Sequence, residues 1–220
     1  MNLSGDARLL WDAAVGLNRA VRPVSPEPSR ALPPLLFFSD PRRTPEPWET
    51  ASRLPEGAAV VYRHFGAEEA EVVARRLRAV TAERGVRLLI GLDADLAQTV
   101  GADGVHLPEQ ALSSASALRL RHPGWLMTAA VHAPDALGDP SRLGLDALGL
   151  DALVLSPVFP AGGASAAKPA LGIEAFSAAV RASLLPVYAL GGVGPETVEG
   201  LAGTGACGIA GIDAITSAFG

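Results

Sequence analysis

The sequence of 220 residues has one cysteine, one lysine and only 5% aromatic residues, and the scarcity of these residue types limits the functions that the protein can have. Cys207 alone cannot form an internal disulfide or a thiolate zinc cluster, and its apolar neighbours predict a core position. A chain without disulfides is typical of a reducing compartment, so we expect a cytoplasmic protein. Because Lys168 is the single lysine among 18 basic residues, any role for a mobile ammonium group falls on it.

Basic charge and long apolar runs are also lacking. The net charge of −5 at pH 7 and the pI near 5.4 argue against nucleic acid and membranes as partners, because both attract basic surfaces. No apolar run approaches the roughly 20 residues that a membrane-spanning helix needs. The 49% of apolar residues nevertheless suffices for the core of one compact domain.

What is present is a regular succession of strands and helices. Apolar residues at helical spacing predict an amphipathic helix over residues 6–20, and five prolines within 22–34 prevent its continuation. From Leu35 onward, short apolar runs alternate with helical or glycine-rich stretches, and continuous apolar runs are typical of strands buried on both faces of a parallel sheet. The predicted strands are 35–38, 59–62, 88–90, 104–107, 126–130, 152–155, 187–190 and 208–212.

Eight strand-helix units predict an α/β fold, a compact (β/α)8 TIM barrel over residues 35–220. Residues 1–34 form a separate segment with the N-terminal helix and a Pro-rich linker. The chain is short for a barrel of typically about 250 residues, so several helices must be short. An open doubly wound sheet is the alternative. The clearest helix is predicted over 67–84, with Gly85 as its C-cap.

In such a barrel the functional groups follow the carboxyl ends of the strands. After the seventh strand, Gly191 and Gly192 expose backbone N–H groups to a close ligand, and Pro195 is predicted in the first turn of the next helix. This pattern is typical of a phosphate site. A glycine-rich turn without a ligand is the alternative.

Histidine and lysine side chains supply the other candidates. His64, His106 and His132 lie at or near strand ends, and His106 and His132 are the stronger acid or base candidates. Lys168 lies near the end of a loop of small residues, 156–169, that we expect to be flexible. No HxxxH, HExxH or CxxC spacing occurs, so no zinc site is predicted.

Several motifs together resemble the thiamine phosphate synthase/TenI family of small TIM barrels. The resemblance covers about residues 35–216 and leaves out the N-terminal helix. The motifs that carry it are LFFSDP at 36–41, VGADGVHL at 100–107, SPVFP at 156–160, KP at 168–169, ALGGV at 189–193 and GACGIA at 205–210.

The resemblance implies a site for a thiazole phosphate. In true synthases this is joined to an aminopyrimidine pyrophosphate to give thiamine phosphate. The resemblance marks His132 as the catalytic candidate. The residues that it assigns to substrate or phosphate binding are Arg63, Ser156, Lys168, Gly191 and Gly192.

The sequence departs from the synthases at their magnesium ligands. The resemblance places these ligands at Gly91-Leu92 and at Ala111, so it implies no metal site here. Asp93 lies one position from Leu92, and Glu109 lies two positions from Ala111. Two separate shifts of the alignment would therefore be needed to restore a metal site. Three other regions also differ from the synthases. Val61 and Phe65 stand where the synthases have glutamine and lysine, and Ala130 stands where they have serine. Asp213 lies where the resemblance places the phosphate of the ligand.

Three functions stay open at this point. A TenI-like thiazole isomerase is favoured, because TenI-like members lack the metal pair and use a histidine at the position of His132; it needs no cofactor. The alternatives are a working, Mg-dependent thiamine phosphate synthase and a non-catalytic barrel that binds a metabolite or a protein partner. The expected ligand is a small phosphorylated thiazole or thiamine phosphate, and the sequence leaves a homodimer open.

Overall fold

The structure is a computed structural model that describes residues 3–21, 30–137, 149–162 and 168–220. Its strands are β1 (Leu35–Phe38), β2 (Ala59–Tyr62), β3 (Arg87–Gly91), β4 (Gly104–Leu107), β5 (Leu126–Val131), β6 (Ala152–Leu155), β7 (Val187–Leu190) and β8 (Gly208–Gly211). They are parallel and close into one barrel in sequence order, with Leu36 of β1 opposite Ala210 of β8. The predicted TIM barrel is confirmed, and the β1–β8 pairing excludes the open sheet.

The strand boundaries differ little from those predicted. The predictions are one residue short at each end of β3 and at the end of β5, and one residue too long at the end of β8. Successive residues of a strand point alternately inward and outward: Leu36 and Phe38 lie in the cluster inside the barrel, whereas Leu35 and Phe37 face the helices. Burial of both sets explains why the strands read as continuous apolar runs.

The helices are mostly short, as the length of the chain requires. They are α1 (Gly5–Arg19), α2 (Pro47–Arg53), α3 (Ala70–Arg84), α4 (Ala94–Val100), α5 (Ala115–Arg121), α6 (Gly172–Ala182) and α7 (Asp213–Phe219). Among the described residues, no helix has the length and apolar character needed to span a bilayer. The prediction that α3 begins at residue 67 is wrong, because a turn closed by Ala70 N–H and Ala67 O precedes it. Gly85 caps α3 in the left-handed conformation (φ 64°), as predicted.

Helix α1 belongs to the outer helical layer of the barrel. Leu10 and Ala14 are buried in the layer between strands and helices. Asn18 Nδ2 donates to the carbonyl of Cys207, directly before β8, at 2.9 Å. The Cys207 side chain lies in the cluster inside the barrel, where burial raises the pKa of its thiol, so its predicted core position is confirmed. Residues 22–29 of the predicted linker lie outside the described residues.

The described end of this linker, residues 30–34, closes the amino-terminal end of the barrel. The buried Tyr188 hydroxyl donates to Pro33 O at 2.6 Å. The fully buried Asp151 receives Arg30 Nε at 2.8 Å and Arg119 Nη2 at 2.7 Å on its two carboxylate oxygens. These contacts fill the floor with paired groups, so a ligand has to enter at the opposite, carboxyl end of the strands.

Candidate active site

A cavity of about 870 Å³ opens at the carboxyl ends of the strands. Its volume is within the usual range for small-molecule sites. The barrel brings all the predicted site residues to its wall, although they come from four different strand ends. These lining residues are Arg63, His132, Ser156, Lys168, Gly191 and Gly192.

The turn after β7 contains the two glycines in left-handed conformations, with φ 94° at Gly191 and 65° at Gly192. A Cβ atom on Gly191 would lie 2.7 Å from Pro157 Cα, and one on Gly192 would lie 2.4 Å from Pro160 O. Close packing against the loop after β6 therefore requires glycine here. Within the described residues the N–H groups of Gly192 and Val193 make no hydrogen bond, which leaves them as donors at the cavity wall.

Pro195 does not begin a helix, so that prediction is wrong. Residues 195–197 form a turn, and the 3-10 helix Val198–Leu201 follows. The Thr197 hydroxyl accepts from Gly194 N–H at 2.9 Å and donates to Gly192 O at 2.8 Å. Because this side chain closes the turn locally, anion binding here would depend on the N–H groups of the turn rather than on a helix dipole.

His132 directly follows β5, and its exposed side chain lines the cavity. Its Nδ1 lies 3.4 Å from the carbonyl of Ser156 and 3.3 Å from the Ser156 hydroxyl. Nδ1 can donate to the carbonyl in one tautomer or accept from the hydroxyl in the other, and in the first the Nε2 lone pair is free. Ser156, predicted as a substrate-binding residue, is buried and orients this imidazole.

Charged side chains surround the glycine turn. Lys168 is exposed and lines the cavity, while residues 163–167 of its loop lie outside the described residues. Asp213, at the start of α7, accepts a hydrogen bond from Arg43 Nε at 2.8 Å and is also paired with Arg43 Nη2. Asp213 is expected to oppose a phosphate here, and the Arg43 guanidinium offsets its charge.

Arg63 follows β2 and enters the cavity from the side of β1–β4. Its Nε donates to Ser39 O at 2.8 Å, and its Cζ lies 5.3 Å from the ring centroid of Phe38 and 5.4 Å from that of Phe65. Its Nη2 is buried, has no hydrogen-bond partner among the described residues and lies 3.8 Å from Asp40 Oδ2. Burial lowers the pKa of this guanidinium, and the Asp40 carboxylate opposes the shift.

His106 lies at the base of the cavity, where its side chain points into the barrel. Nδ1 is 2.9 Å from Thr128 Oγ1, and the imidazole meets the Phe38 ring edge to face at 4.9 Å between centroids. Burial, assisted by the positive charge of Arg63, lowers the pKa of His106 to about 3. Near neutral pH, His106 is therefore an uncharged imidazole and not a positively charged imidazolium.

His64 and Asp93 face each other in a region where the family resemblance implies ionic residues in the synthases. His64 Nδ1 accepts from Gly66 N–H at 3.1 Å, so the proton is on Nε2, 3.4 Å from Asp93 Oδ2. Asp93 Oδ1 caps α4 by accepting from a backbone N–H at 2.8 Å. Oδ1 of this carboxylate is thus engaged by the helix cap, whereas Oδ2 lies near His64 Nε2 without forming a hydrogen bond to it.

These residues do not fit a magnesium ion, which prefers several free oxygen ligands. One oxygen of Asp93 is used by its helix cap and the other lies 3.4 Å from His64 Nε2. Glu109 begins a 3-10 helix and does not line the cavity. In the part of the chain that the structure describes, no three His, Cys, Asp or Glu side chains come close enough together to hold a metal ion.

Two apolar side chains at the cavity wall were not predicted as part of the site. Phe65 is 72% exposed with φ 48°, and Leu92 is 59% exposed with φ 66°. The available signal was the resemblance itself, which places each of them at the position of an ionic residue of the synthases. Arg43 and Gln110 also line the cavity, and no spacing in the sequence marks them.

The fold and the cavity together define a (β/α)8 barrel with a cavity of ligand size at the carboxyl ends of its strands. The sequence model of the thiamine monophosphate synthase family matches residues 43–215. The chain therefore belongs to this family, as the motifs predicted.

Individual relatives agree with this assignment. The chain is 37% identical over 122 residues to thiamine-phosphate synthase of Myxococcus xanthus, covering 56% of this chain and 54% of the relative. It is 35% identical over 136 residues to that of Chlorobium luteolum, covering 62% of each. The matches thus span less than two thirds of these relatives. The solved structure of thiamine phosphate pyrophosphorylase from Pyrococcus furiosus is similar, with TM-score 0.67, 25% identity and coverage of 84% of this chain and 91% of that one.

Proposed function

We propose that this protein is a TenI-like thiazole phosphate isomerase. The observation that carries the proposal is the contrast between His132 and the carboxylates of the cavity. His132 is exposed to the cavity with Nε2 free, whereas Asp93 caps a helix and faces His64, and Asp213 is paired with Arg43. Among the described residues, the site thus offers a base for proton transfer, whereas each of its three carboxylates, Asp40, Asp93 and Asp213, already lies against an arginine or a histidine.

In this proposal the phosphate of the ligand binds at the glycine turn. The N–H groups of Gly192 and Val193 donate to its oxygens, and Gly191 gives the backbone the conformation that exposes them. Lys168 adds a positive charge from the neighbouring loop. The thiazole ring then extends toward His132, since β5, β6 and β7 are adjacent in the barrel.

The isomerisation needs only one base that can also return a proton. Nε2 of His132 takes a proton from one ring position, and the resulting imidazolium delivers a proton to another. The Ser156 carbonyl keeps the proton on Nδ1 in place throughout. No electrons are exchanged and no bond to phosphate breaks, so the step requires no co-reactant.

The test is exchange of ring protons of thiazole phosphate in D2O, followed by NMR, together with calorimetric binding. We expect exchange by the native protein with or without EDTA. His132→Gln should slow exchange by about 10²- to 10⁴-fold, with binding changed by less than about 3-fold. His122→Gln, which alters a histidine stacked on Trp125 and not lining the cavity, is the matched control. Equal exchange in the His132 variant would refute the catalytic role, and absence of binding would refute the ligand.

Thiamine phosphate synthesis is the second candidate. The names of the relatives and the presence of Arg63 at the cavity wall favour it. It requires magnesium-dependent formation of thiamine phosphate with release of pyrophosphate when both substrates are supplied. Detection of both products would favour this candidate over the isomerase. Binding of thiazole phosphate with neither exchange nor condensation would indicate a non-catalytic barrel.

A further inference from the structure

The loop after β1 carries an arginine that the family resemblance does not assign to the site. The backbone of this loop is fixed by a tight turn, in which Asp40 O accepts from Arg43 N–H at 3.0 Å and from Thr44 N–H at 2.7 Å. Thr44 is buried, and its hydroxyl accepts from Asp40 N–H at 2.7 Å. The Arg43 side chain therefore extends from a fixed point at the wall of the cavity, which it lines.

Asp213 holds the Arg43 guanidinium in one orientation. Nε donates to Asp213 Oδ1 at 2.8 Å, and Nη2 is paired with Oδ2, so the carboxylate contacts one edge of the guanidinium with both oxygens. Among the described residues, Nη1 has no hydrogen-bond partner. Because a guanidinium has five N–H donors in a plane, its remaining edge can bind a second anion while the first contact persists.

This ion pair lies beside the glycine turn after β7. A Cβ atom added to Gly194 would lie 3.4 Å from Ala214 Cβ, so the end of the turn contacts the first residues of α7. Gly194 directly follows Val193, whose N–H group makes no hydrogen bond in the described part of the chain, and Ala214 directly follows Asp213. A phosphate on the turn therefore lies near the Asp213 carboxylate, which repels it unless a cation compensates.

The charged side chains of the cavity wall supply no excess of positive charge. Among the described residues, the carboxylates that line it are Asp40, Asp93 and Asp213, and the cations are Arg43, Arg63 and Lys168. Burial and the charge of Arg43 lower the pKa of Arg63, whereas Asp40 raises it, so the two guanidiniums act on each other across the cavity. Because the charges balance, phosphate binding depends on which cation lies nearest to it. Lys168 is exposed to solvent, whereas Arg43 is held beside the glycine turn.

We propose that Arg43 binds the phosphate of the ligand and that Asp213 positions it for this contact. Nη1 donates to a phosphate oxygen while Nε stays on Asp213. Arg43 thereby selects a phosphorylated ligand over the corresponding alcohol, because a guanidinium binds an anionic oxygen more strongly than an uncharged hydroxyl group. This inference rests on the phosphate site of the proposed function but not on proton transfer by His132.

The test compares thiazole phosphate with its unphosphorylated alcohol by calorimetry on the full chain at low salt. Arg43→Ala should weaken binding of the phosphate by about 10- to 100-fold and binding of the alcohol by less than about 3-fold. Arg42→Ala is the matched control, because it removes the same charge from the same loop at an exposed position that does not line this cavity. An equal loss for the two ligands, or no loss for the phosphate, would overturn the proposal.

A double variant separates contact with the phosphate from neutralisation of Asp213. Arg43→Ala combined with Asp213→Ala has the net charge of the native protein. If Arg43 only neutralised Asp213, this double variant would bind the phosphate as tightly as the native protein does. We expect it to regain part of the affinity lost in Arg43→Ala and to remain about 3- to 10-fold below the native protein. Native affinity in the double variant would overturn the contact.

The same variants test the positioning role of Asp213. Asp213→Ala should strengthen phosphate binding in the Arg43→Ala background, where it removes an unpaired carboxylate, and by much less in the native background, where Arg43 also loses its orientation. Equal gains in both backgrounds would overturn the positioning role. Neither side chain is buried, so the variants should fold, which thermal unfolding verifies.

Ring-proton exchange in these proteins keeps the inference apart from the proposed function. Arg43→Ala should raise the KM for exchange more than it lowers kcat, because the contact is made with the phosphate and not with the reacting ring. Exchange absent from the native protein, with the Arg43-dependent preference for phosphate intact, would refute the isomerase alone. Native exchange in Arg43→Ala at every concentration of thiazole phosphate would refute the role of Arg43 alone.

Discussion

The two halves of the cavity wall differ in backbone packing and in which side chains they expose. On the β5–β8 side, close packing of Gly191 and Gly192 holds the turn, and His132 and Lys168 are exposed to a ligand. On the β1–β4 side, His64 and Asp93 contact each other, and apolar Phe65 is exposed. One half thus has exposed polar side chains beside a constrained backbone, whereas the other combines partly buried ionic groups with exposed apolar surface.

This difference shows how the two sides of one barrel cavity can differ in polarity and packing. Each strand end contributes its residues to the cavity through its own loop, so replacements after β2 and β3 need not disturb the turn after β7. Besides the β1–β8 and β4–β5 strand pairs, the ion pair of Arg43 and Asp213 joins the halves, since it connects the loop after β1 to α7.

The largest effect is expected from a methyl group on the constrained turn. Gly192→Ala places Cβ 2.4 Å from Pro160 O and 2.7 Å from Phe159 Cβ at positive φ, so the backbone has to move. We expect a loss of about 3 kcal/mol or more in the free energy of unfolding, measured in urea, and loss of thiazole phosphate binding.

The matched change in the other half is Gly66→Ala. Gly66 also has positive φ (80°), but nothing lies within 4 Å of its added Cβ. Only the backbone conformation is penalised, at about 1 kcal/mol. Equal losses in the two variants would show that packing does not distinguish the two halves.

A pH effect of intermediate size should come from the buried His106. Its folded pKa of about 3 lies below the ordinary 6.5, so between these values the unfolded chain binds more protons than the native one. Its contribution to stability is complete above pH 6.5 and is lost as the pH falls toward 3, with a slope of at most about 1.4 kcal/mol per pH unit.

The measurement is urea unfolding at several pH values between 4 and 7. His106→Asn keeps a polar group near Thr128 without an imidazole, so it should reduce the slope of stability against pH even though it lowers stability overall. A slope identical to that of the native protein would contradict the assigned protonation state.

Much of the fold could be predicted because both faces of the strands are buried. Burial turns each strand into a short continuous apolar run, so boundaries such as those of β1 and β4 are visible in the sequence. The helix expected at Pro195 was wrong for a local reason. The Thr197 hydroxyl supplies hydrogen bonds that close a turn, and propensity rules did not reveal this competition.

The candidate site was predictable only in part. Barrel geometry places His132, Lys168 and the glycine turn at strand ends, so their meeting in one cavity follows from topology. The pairing of Arg43 with Asp213 joins residues 170 positions apart, and no spacing encodes it. The exposed left-handed Phe65 and Leu92 depend on loop conformation, which the alternation of apolar residues does not determine.

The smallest effect is expected at Lys168, where the charge is exposed to solvent. Lys168→Ala should weaken thiazole phosphate binding by about 3- to 10-fold at low salt, and the difference should shrink at 1 M salt because exposed charges are screened. Lys168→Arg should restore only part of the affinity, since a planar guanidinium directs its donors differently from an ammonium. Equal affinity in the three proteins would place this side chain in solvent, without a role in phosphate binding.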